Sequence, residues 1–346
     1  LYQEPKSMQV KLQPRNTFSF LIALGFFYLA YLIFFKSGDD FPEIDVNLKD
    51  VISYAVLAVE MGGHAVKKIH EENVLNIAQK GLTDEGKAEL LTKADLVSNH
   101  LILDVLQRFP HLKVVTEEKD TSITDKEADK YRSDSYALWL SVRDILDKMP
   151  SKRIPLNDMQ VYVDPLDATQ EFTENLVEYV TVMVCVAVGD EPIFGAIYRP
   201  FYNETVFGVK DWGVMSSNGQ KVNLPDRSTV PKRIIVSRSH SGAVQTLAEK
   251  SFGNTYTVEP AGGSGYKTLR VVNGTAEIYV HQTAIKKWDT CAGDAVLRAL
   301  GGAMLDLTGE PLKYGPTSEI VNRNGLIGTV QDPYSYYKLV QPHIPQ

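Results

Sequence analysis

The sequence predicts a mixed α/β fold of the α+β kind, preceded by one N-terminal transmembrane helix. Three observations carry that prediction. An uncharged run fills residues 18–35, apolar positions recur at helical spacing just after it, and short apolar strands punctuated by turn residues occupy the middle of the chain. With 346 residues there is room for one large globular unit or two closely packed halves. A net charge of −7 argues against a general nucleic-acid binder, which carries a basic face. It leaves an anionic substrate open, because carboxylates that hold divalent cations reverse the local field.

The N-terminal run, Phe18 to Phe35, spans about 27 Å at helical rise, close to the hydrocarbon thickness of a bilayer. Lys11 and Arg15 precede it, and acids gather at Asp39, Asp40, Glu43 and Asp45 after Lys36. That asymmetry predicts a cytoplasmic tail (1–17), a signal anchor (18–35), a stem (36–45) and a body (46–346) across the membrane. A cleaved signal peptide fits less well, since the run is long for an h-region and no small-x-small site follows. The chain opens on Leu1, so Met8 is a candidate natural start. Two sequons, at Asn203 and Asn273, are candidate glycosylation sites and agree with a lumenal body.

Within the body, Leu48, Val51, Ile52, Ala55, Val59, Gly62, Val66 and Ile69 predict an amphipathic first helix. A second helix is expected over 95–109, stopping before Pro110. Residues 111–118 read as a strand ending in Glu117-Glu118, and 122–158 as a polar surface excursion with a helical island at 136–149. Residues 161–163 form a short strand that breaks at Pro165. Apolar runs at 179–188, 193–198, 205–209 and 213–215 continue a mostly antiparallel sheet, with a hairpin turn at Asn218-Gly219. A second half, from about 229, brings a strand at 233–237, a helix at 241–252, a glycine-rich turn at 262–265, a strand at 276–280 and a helix at 289–300. Cys185 and Cys291 cannot build a disulfide framework and lack CxxC partners; Cys185, inside an apolar run, reads as a buried free thiol.

Chemistry concentrates in Asp164-Pro165-Leu166-Asp167-Ala168-Thr169. Two carboxylates at a proline-bearing strand end, with the Leu166 carbonyl between them, suit a hard cation such as Mg²⁺, which wants oxygen ligands at about 2.0–2.1 Å. Read singly, the acids have plainer roles. Asp95 and Asp289 stand at helix starts, where an N-cap is ordinary, and Glu117-Glu118 could be a solvated edge. Together, four acidic positions at element ends form a pattern that capping explains poorly.

These segments, with Trp288-Asp289-x-x-Ala292-Gly293, resemble the lithium-sensitive, magnesium-dependent phosphatase superfamily. It includes inositol monophosphatase, fructose-1,6-bisphosphatase and 3′-nucleotidases that act on 3′-phosphoadenosine 5′-phosphate. The similarity covers roughly 46–335 and implies a layered αβαβα sandwich with halves at about 46–228 and 229–346. The stretches 164–174, 236–241 and 260–267 and the predicted anchor are most similar to the Golgi-resident 3′-nucleotidase branch. In inositol monophosphatases the residue matching Ala168 is typically glycine.

The resemblance implies two or three Mg²⁺ ions. Glu117, Asp164 and the Leu166 carbonyl would hold one, Asp164, Asp167 and Asp289 a second, and Glu117 would touch a third. Asp95 and Thr169 would polarise the nucleophilic water, while Ser237, His240, Gly263 and Lys267 would bind the adenosine 5′-phosphate portion. Exposed N–H groups at the glycine turn beside Lys267 would suit phosphate. The implied partners are that small-molecule substrate and, through 18–35, a Golgi membrane in single-pass type II orientation; a homodimer is left open. An inositol phosphate phosphatase with the same metal site is the alternative, and a catalytically silent anchored scaffold is the alternative of another class.

Overall fold

The computed structural model describes residues 14–34, 44–82, 86, 88–119, 122–133, 136–238 and 241–344. The chain divides into two units, Leu1–Glu43 and Ile44–Gln346. In the first, helix α1 (Pro14–Phe34) carries exposed Phe18, Phe20, Leu21, Phe26 and Phe27. No helix among the described residues is long and apolar enough to cross a membrane. Side chains of α1 are described over 18–31, so the anchor predicted at 18–35 reaches past them, and the stem residues 36–43 lie outside the described residues.

The second unit opens with α2 (Leu48–Glu71), capped by the Asn47 side chain, which accepts from Lys49 N at 3.1 Å. Its stripe Val51, Ile52, Ala55, Val59, Val66 and Ile69 is fully buried, as the helical spacing requires. A hairpin of β1 (Ala78–Leu82) and β2 (Ala88–Leu91) leads into α3 (Lys93–Leu106). Strand β3 (Lys113–Thr116) follows, and α4 (Tyr136–Leu146) precedes β4 (Met159–Asp167) and the short α5 (Thr169–Thr173). Next come β5 (Thr181–Val188), β6 (Glu191–Arg199), β7 (Glu204–Val209), β8 (Gly213–Ser216) and β9 (Lys221–Val222).

These strands form a seven-stranded sheet in the order β9-β8-β7-β6-β5-β4-β3, antiparallel except for the β3–β4 pair. The remainder contributes β10 (Arg233–Ser237), α6 (Ser241–Phe252), β11 (Thr257–Ala261), α7 (Ser264–Val272) and β12 (Ile278–His281). Then follow α8 (Lys287–Ala299), β13 (Ala303–Leu305), β14 (Leu326–Thr329) and α9 (Pro333–Val340). A five-stranded sheet takes the order β11-β10-β12-β14-β13.

Three hydrophobic clusters set the layering. One lies between α2, α3, α4 and the first sheet, a second around α7 and α8 between the sheets, and a third between the second sheet and α6 with α9. The result is an αβαβα stack. Glycines let α8 lie directly on the first sheet: a Cβ at Gly195 would come within 2.3 Å of the Ala292 carbonyl, and one at Gly208 within 2.8 Å of Val296 Cα.

Several sequence expectations need correction. Strand β4 does not break at Pro165; it continues to Asp167 with every residue buried, and proline, which has no N–H to donate, sits in a register irregularity between Asp164 and Asp167. The glycine-rich turn is the start of α7. The polar excursion 122–158 also supplies core, burying Tyr131, Val142, Leu146 and Met149. Cys185 is not a free thiol. It is disulfide-bonded to Cys291, a residue 106 positions away that only the packing of α8 against β5 brings to a Cα–Cα distance of 5.7 Å.

Gly195→Ala is expected to destabilise the body by about 1–3 kcal/mol, since the clash is with backbone that cannot swing aside. Chemical denaturation of the variant beside the native chain reads this directly, and equal midpoints would contradict the close packing.

Candidate metal centre

Residues 164 and 167 are three apart, and side chains alternate along a strand, so a regular β4 would send their carboxylates to opposite faces. Opposite them Asp164 pairs with Met183 and Asp167 with Thr181. Three steps on β4 therefore match two on β5, and the extra residue is a β-bulge. The bulge returns both acids to the face covered by α7 and α8. Immediately beyond it Ala168 takes φ +72°, the left-handed region that a Cβ disfavours.

Asp164 is 1% exposed. Its Oδ1 accepts Leu166 N at 3.1 Å, while Oδ2 is buried with no hydrogen-bond donor. Its near neighbour is the Asp289 carboxyl, and two carboxylates can share a contact only through a proton or a cation. Asp289 lies in the first turn of α8, where Oδ2 accepts Lys286 N at 3.1 Å. Glu117 follows β3. One oxygen from each of Glu117, Asp164 and Asp289 falls within 4.8 Å of the others.

Asp167 is turned differently. Its oxygens accept from Thr181 Oγ at 2.8 Å, Ser264 N at 3.1 Å and Gly265 N at 2.8 Å. The first amides of α7, expected to be open to a phosphate, are thus engaged by this carboxylate. Gly263, at φ +60°, permits the approach, because a Cβ there would stand 2.5 Å from the Tyr179 carbonyl and 3.0 Å from Asp167 Oδ2.

A second cluster adjoins the first. Asp95, fully buried, accepts from Thr92 N at 2.7 Å and Thr92 Oγ at 2.6 Å, closing a capping box on α3. Its other oxygen accepts from the Thr169 hydroxyl at 3.0 Å, which also lies 3.1 Å from the Leu166 carbonyl. The cap and the site are one residue here, so neither reading of Asp95 displaces the other.

Burial, then Glu117, Asp167 and Asp289, hold the Asp164 carboxyl well above the usual carboxylate range. Burial, then Glu117 and Asp167, push Asp289 up to about 7. Burial also lifts Asp95 to about 7 against the pull of its Thr92 hydrogen bonds. Lys80 of the β1–β2 hairpin places its ammonium 2.8 Å from Glu117 Oε1 and pairs with Glu118 as well. Burial works against that charge, but the two glutamates outweigh it and raise the lysine. The cation that the adjacent glutamates call for is, in this arrangement, an ammonium. Nothing in the spacing of the polar stretch 73–92 signals Lys80.

A buried carboxylate oxygen without a donor, in a group made wholly of oxygen donors, fits a hard divalent cation. Among the predicted binding residues, Ser237 ends β10 opposite Ala261 of β11, so Ser237 and Gly263 share the C-terminal end of two parallel strands. Lys267 is 4% exposed, donates to the Gly263 carbonyl at 2.6 Å, and is lowered by burial. His240 lies outside the described residues. Arg238, missed by the sequence reading, bridges Glu171 of α5 and Glu174, which caps that helix just after the bulge. Tyr198 is buried in the core, whereas Tyr266 packs edge-on against Tyr179.

A layered α/β fold that gathers carboxylates from three separate elements onto one buried point defines a hydrolase of the metal-assisted phosphatase class. The profile of the Inositol monophosphatase family matches residues 47–335, and the chain belongs to that family. It is similar to "Inositol monophosphatase 3" of Xenopus tropicalis, 40% identical over 88% of this chain and 83% of that protein. It is equally similar to the "Golgi-resident adenosine 3′,5′-bisphosphate 3′-phosphatase" of Homo sapiens, 40% identical over 83% of this chain and 78% of that protein. Among solved structures, CysQ from Bacteroides thetaiotaomicron superposes with a TM-score of 0.60 at 21% identity, covering 82% of this chain and 98% of that one. The chain is a phosphatase.

Raised folded-state pKa values give the metal-free protein a definite pH dependence. Asp95 and Asp289 titrate near 7 when folded, against 3.8 when free. The folded state therefore binds more protons between those values, and stability falls as pH rises from about 4 to about 7. Mg²⁺ should raise the melting temperature of the metal-free chain more at pH 8 than at pH 5. An equal gain at both would remove the buried acids from the cation site.

Proposed function

We propose that this phosphatase is a Mg²⁺-dependent 3′(2′),5′-bisphosphate nucleotidase that hydrolyses 3′-phosphoadenosine 5′-phosphate with water to AMP and phosphate. The observation that carries the reaction is the donorless, buried Oδ2 of Asp164 within a carboxylate triple. A scaffold in which these acids were only caps would leave that oxygen without a purpose. The choice of substrate rests on the relatives whose printed name gives an adenosine 3′,5′-bisphosphate 3′-phosphatase.

Glu117, Asp164, Asp167, Asp289 and the Leu166 carbonyl would hold two or three Mg²⁺ ions, which when bound acidify water and stabilise a departing oxygen. The rest of the work falls to the chain. Asp95 fixes the Thr169 hydroxyl, and the pair would orient the attacking water and take its proton, Asp95 being poised near neutrality for that exchange. Ser237, Gly263 and Lys267, with His240, would receive the adenosine 5′-phosphate end. Burial of Ser237 and Lys267 limits access of bulk water and strengthens their contacts.

The body is proposed to lie in a Golgi lumen behind a type II anchor at 18–35. Two features support an oxidising, lumenal setting: the buried Cys185–Cys291 disulfide and exposed sequon asparagines, Asn203 and Asn273. Lumenal sulfation would supply the substrate as its by-product. Relatives named "Inositol monophosphatase 3" at 40% identity favour the second reading, an inositol phosphate phosphatase.

Turnover of 3′-phosphoadenosine 5′-phosphate and of an inositol monophosphate by the purified 346-residue chain decides between them. A higher kcat/KM for the nucleotide is expected; faster phosphate release from the inositol ester overturns the substrate. Asp164→Ala should reduce Mg²⁺-dependent turnover by at least about 10²-fold, since changes one shell further out already cost 10–100-fold. Full activity in that variant would sink the metal site.

A further inference from the structure

Asp289 and Cys291 stand two positions apart on α8, a rotation of about 200° around the helix. One side chain therefore faces the acidic cluster while the other faces the sheet. On β5, Cys185 stands opposite Tyr162 in the ladder, and Met183 stands opposite Asp164. The disulfide thus joins α8, two residues past one acid of the triple, to the sheet, one pair of ladder positions from another. Without it, the covalent path between those acids runs through more than a hundred residues; the bridge itself closes a separation of 106.

Something must hold α8 there. Glu117, Asp164 and Asp289 bring oxygens within 4.8 Å of one another, and their repulsion acts to lift α8 off the sheet. Noncovalent contact offers the glycine seats at Gly195 and Gly208, apolar packing around them and, at the start of the helix, the Lys286–Glu89 ion pair. Both sulfurs are buried, Cys185 at 1% and Cys291 at 0% exposure, so the bridge is built into the core next to the site.

We propose that the Cys185–Cys291 disulfide is a positioning element of the metal centre, fixing Asp289 against Asp164 so that the donor set is preorganised for its cation. The inference rests on the metal reading given above. Its role is distinct from general stabilisation. A cross-link that merely restrained the unfolded chain would raise stability and leave cation affinity alone. One that sets the spacing of ligands changes the affinity itself, as supporting groups around metal ligands do.

The test uses the full chain in two forms, native and with both cysteines replaced, Cys185→Ala with Cys291→Ala. A second pair, Cys185→Val with Cys291→Ala, refills the lost volume so that packing and cross-linking separate. Mg²⁺ binding is read by calorimetry and by the rise in melting temperature, and secondary structure by circular dichroism. The half-saturating Mg²⁺ concentration should rise about tenfold in both folded variants. Unchanged half-saturation with a lowered melting temperature overturns the positioning role, and so does failure of both variants to fold, which would make the bridge a requirement of the fold. Absence of Mg²⁺ binding in the native chain would instead overturn the metal reading.

Discussion

The mutual repulsion of buried carboxylates is the constraint around which this protein is arranged. With oxygens of Glu117, Asp164 and Asp289 within 4.8 Å, each charged pair repels by about 3 kcal/mol at an effective dielectric of 20. Desolvation adds to this. Every acid of the site has a local donor, and only one oxygen, Asp164 Oδ2, is buried without one. Asp95 has Thr92 and Thr169, Asp167 has Thr181 and the first amides of α7, Asp289 has Lys286 N, and Glu117 has Lys80. The remaining oxygen is where a cation has most to gain.

The layers exist in a form that serves this arrangement. The middle helices α7 and α8 touch both sheets, and their N-terminal ends meet at the bulge of β4. Positive dipole ends beside carboxylates are favourable, so the helix starts both satisfy and orient the acids. That is why a helix cap coincides with a proposed site residue at both Asp95 and Asp289. Gly195 and Gly208 remove the side chains that would separate α8 from the sheet, and the disulfide closes the same interface covalently. Rigidity at this seam would be a condition of the proposed ligand spacing, because a carboxylate moved by 1 Å leaves the coordination distance of a small hard cation.

The side proposed to receive the anion is arranged differently. Lys267 is buried against the Gly263 carbonyl, and Arg238 is spent on Glu171 and Glu174. Lys286, partly exposed, pairs with Glu89 of the hairpin at 2.8 Å. Cations surround the cluster yet are paired, which keeps an acidic chain from being self-repellent around its own site and leaves charge available where a phosphate could exchange with a carboxylate.

Sequence by itself determined what depends on local pattern. Helical spacing placed α2, apolar runs and turn residues placed β5 to β8 and β10, and the motif Asp164–Thr169 with Glu117, Asp95 and Asp289 marked the acids and the family. It also determined which groups are hard-cation donors, since that is a property of residue type. Contacts between distant positions were decided by the tertiary structure alone. A strand pattern cannot show the bulge that returns Asp167 to the face of Asp164, because the extra residue is defined against β5 rather than along β4. Spacing cannot pair Cys185 with Cys291 when helix packing supplies the partner, nor bring Lys80 to the glutamates across a hairpin. Periodicity is a short-range signal, whereas register, cross-linking and charge pairing are settled by which surfaces meet when the layers close.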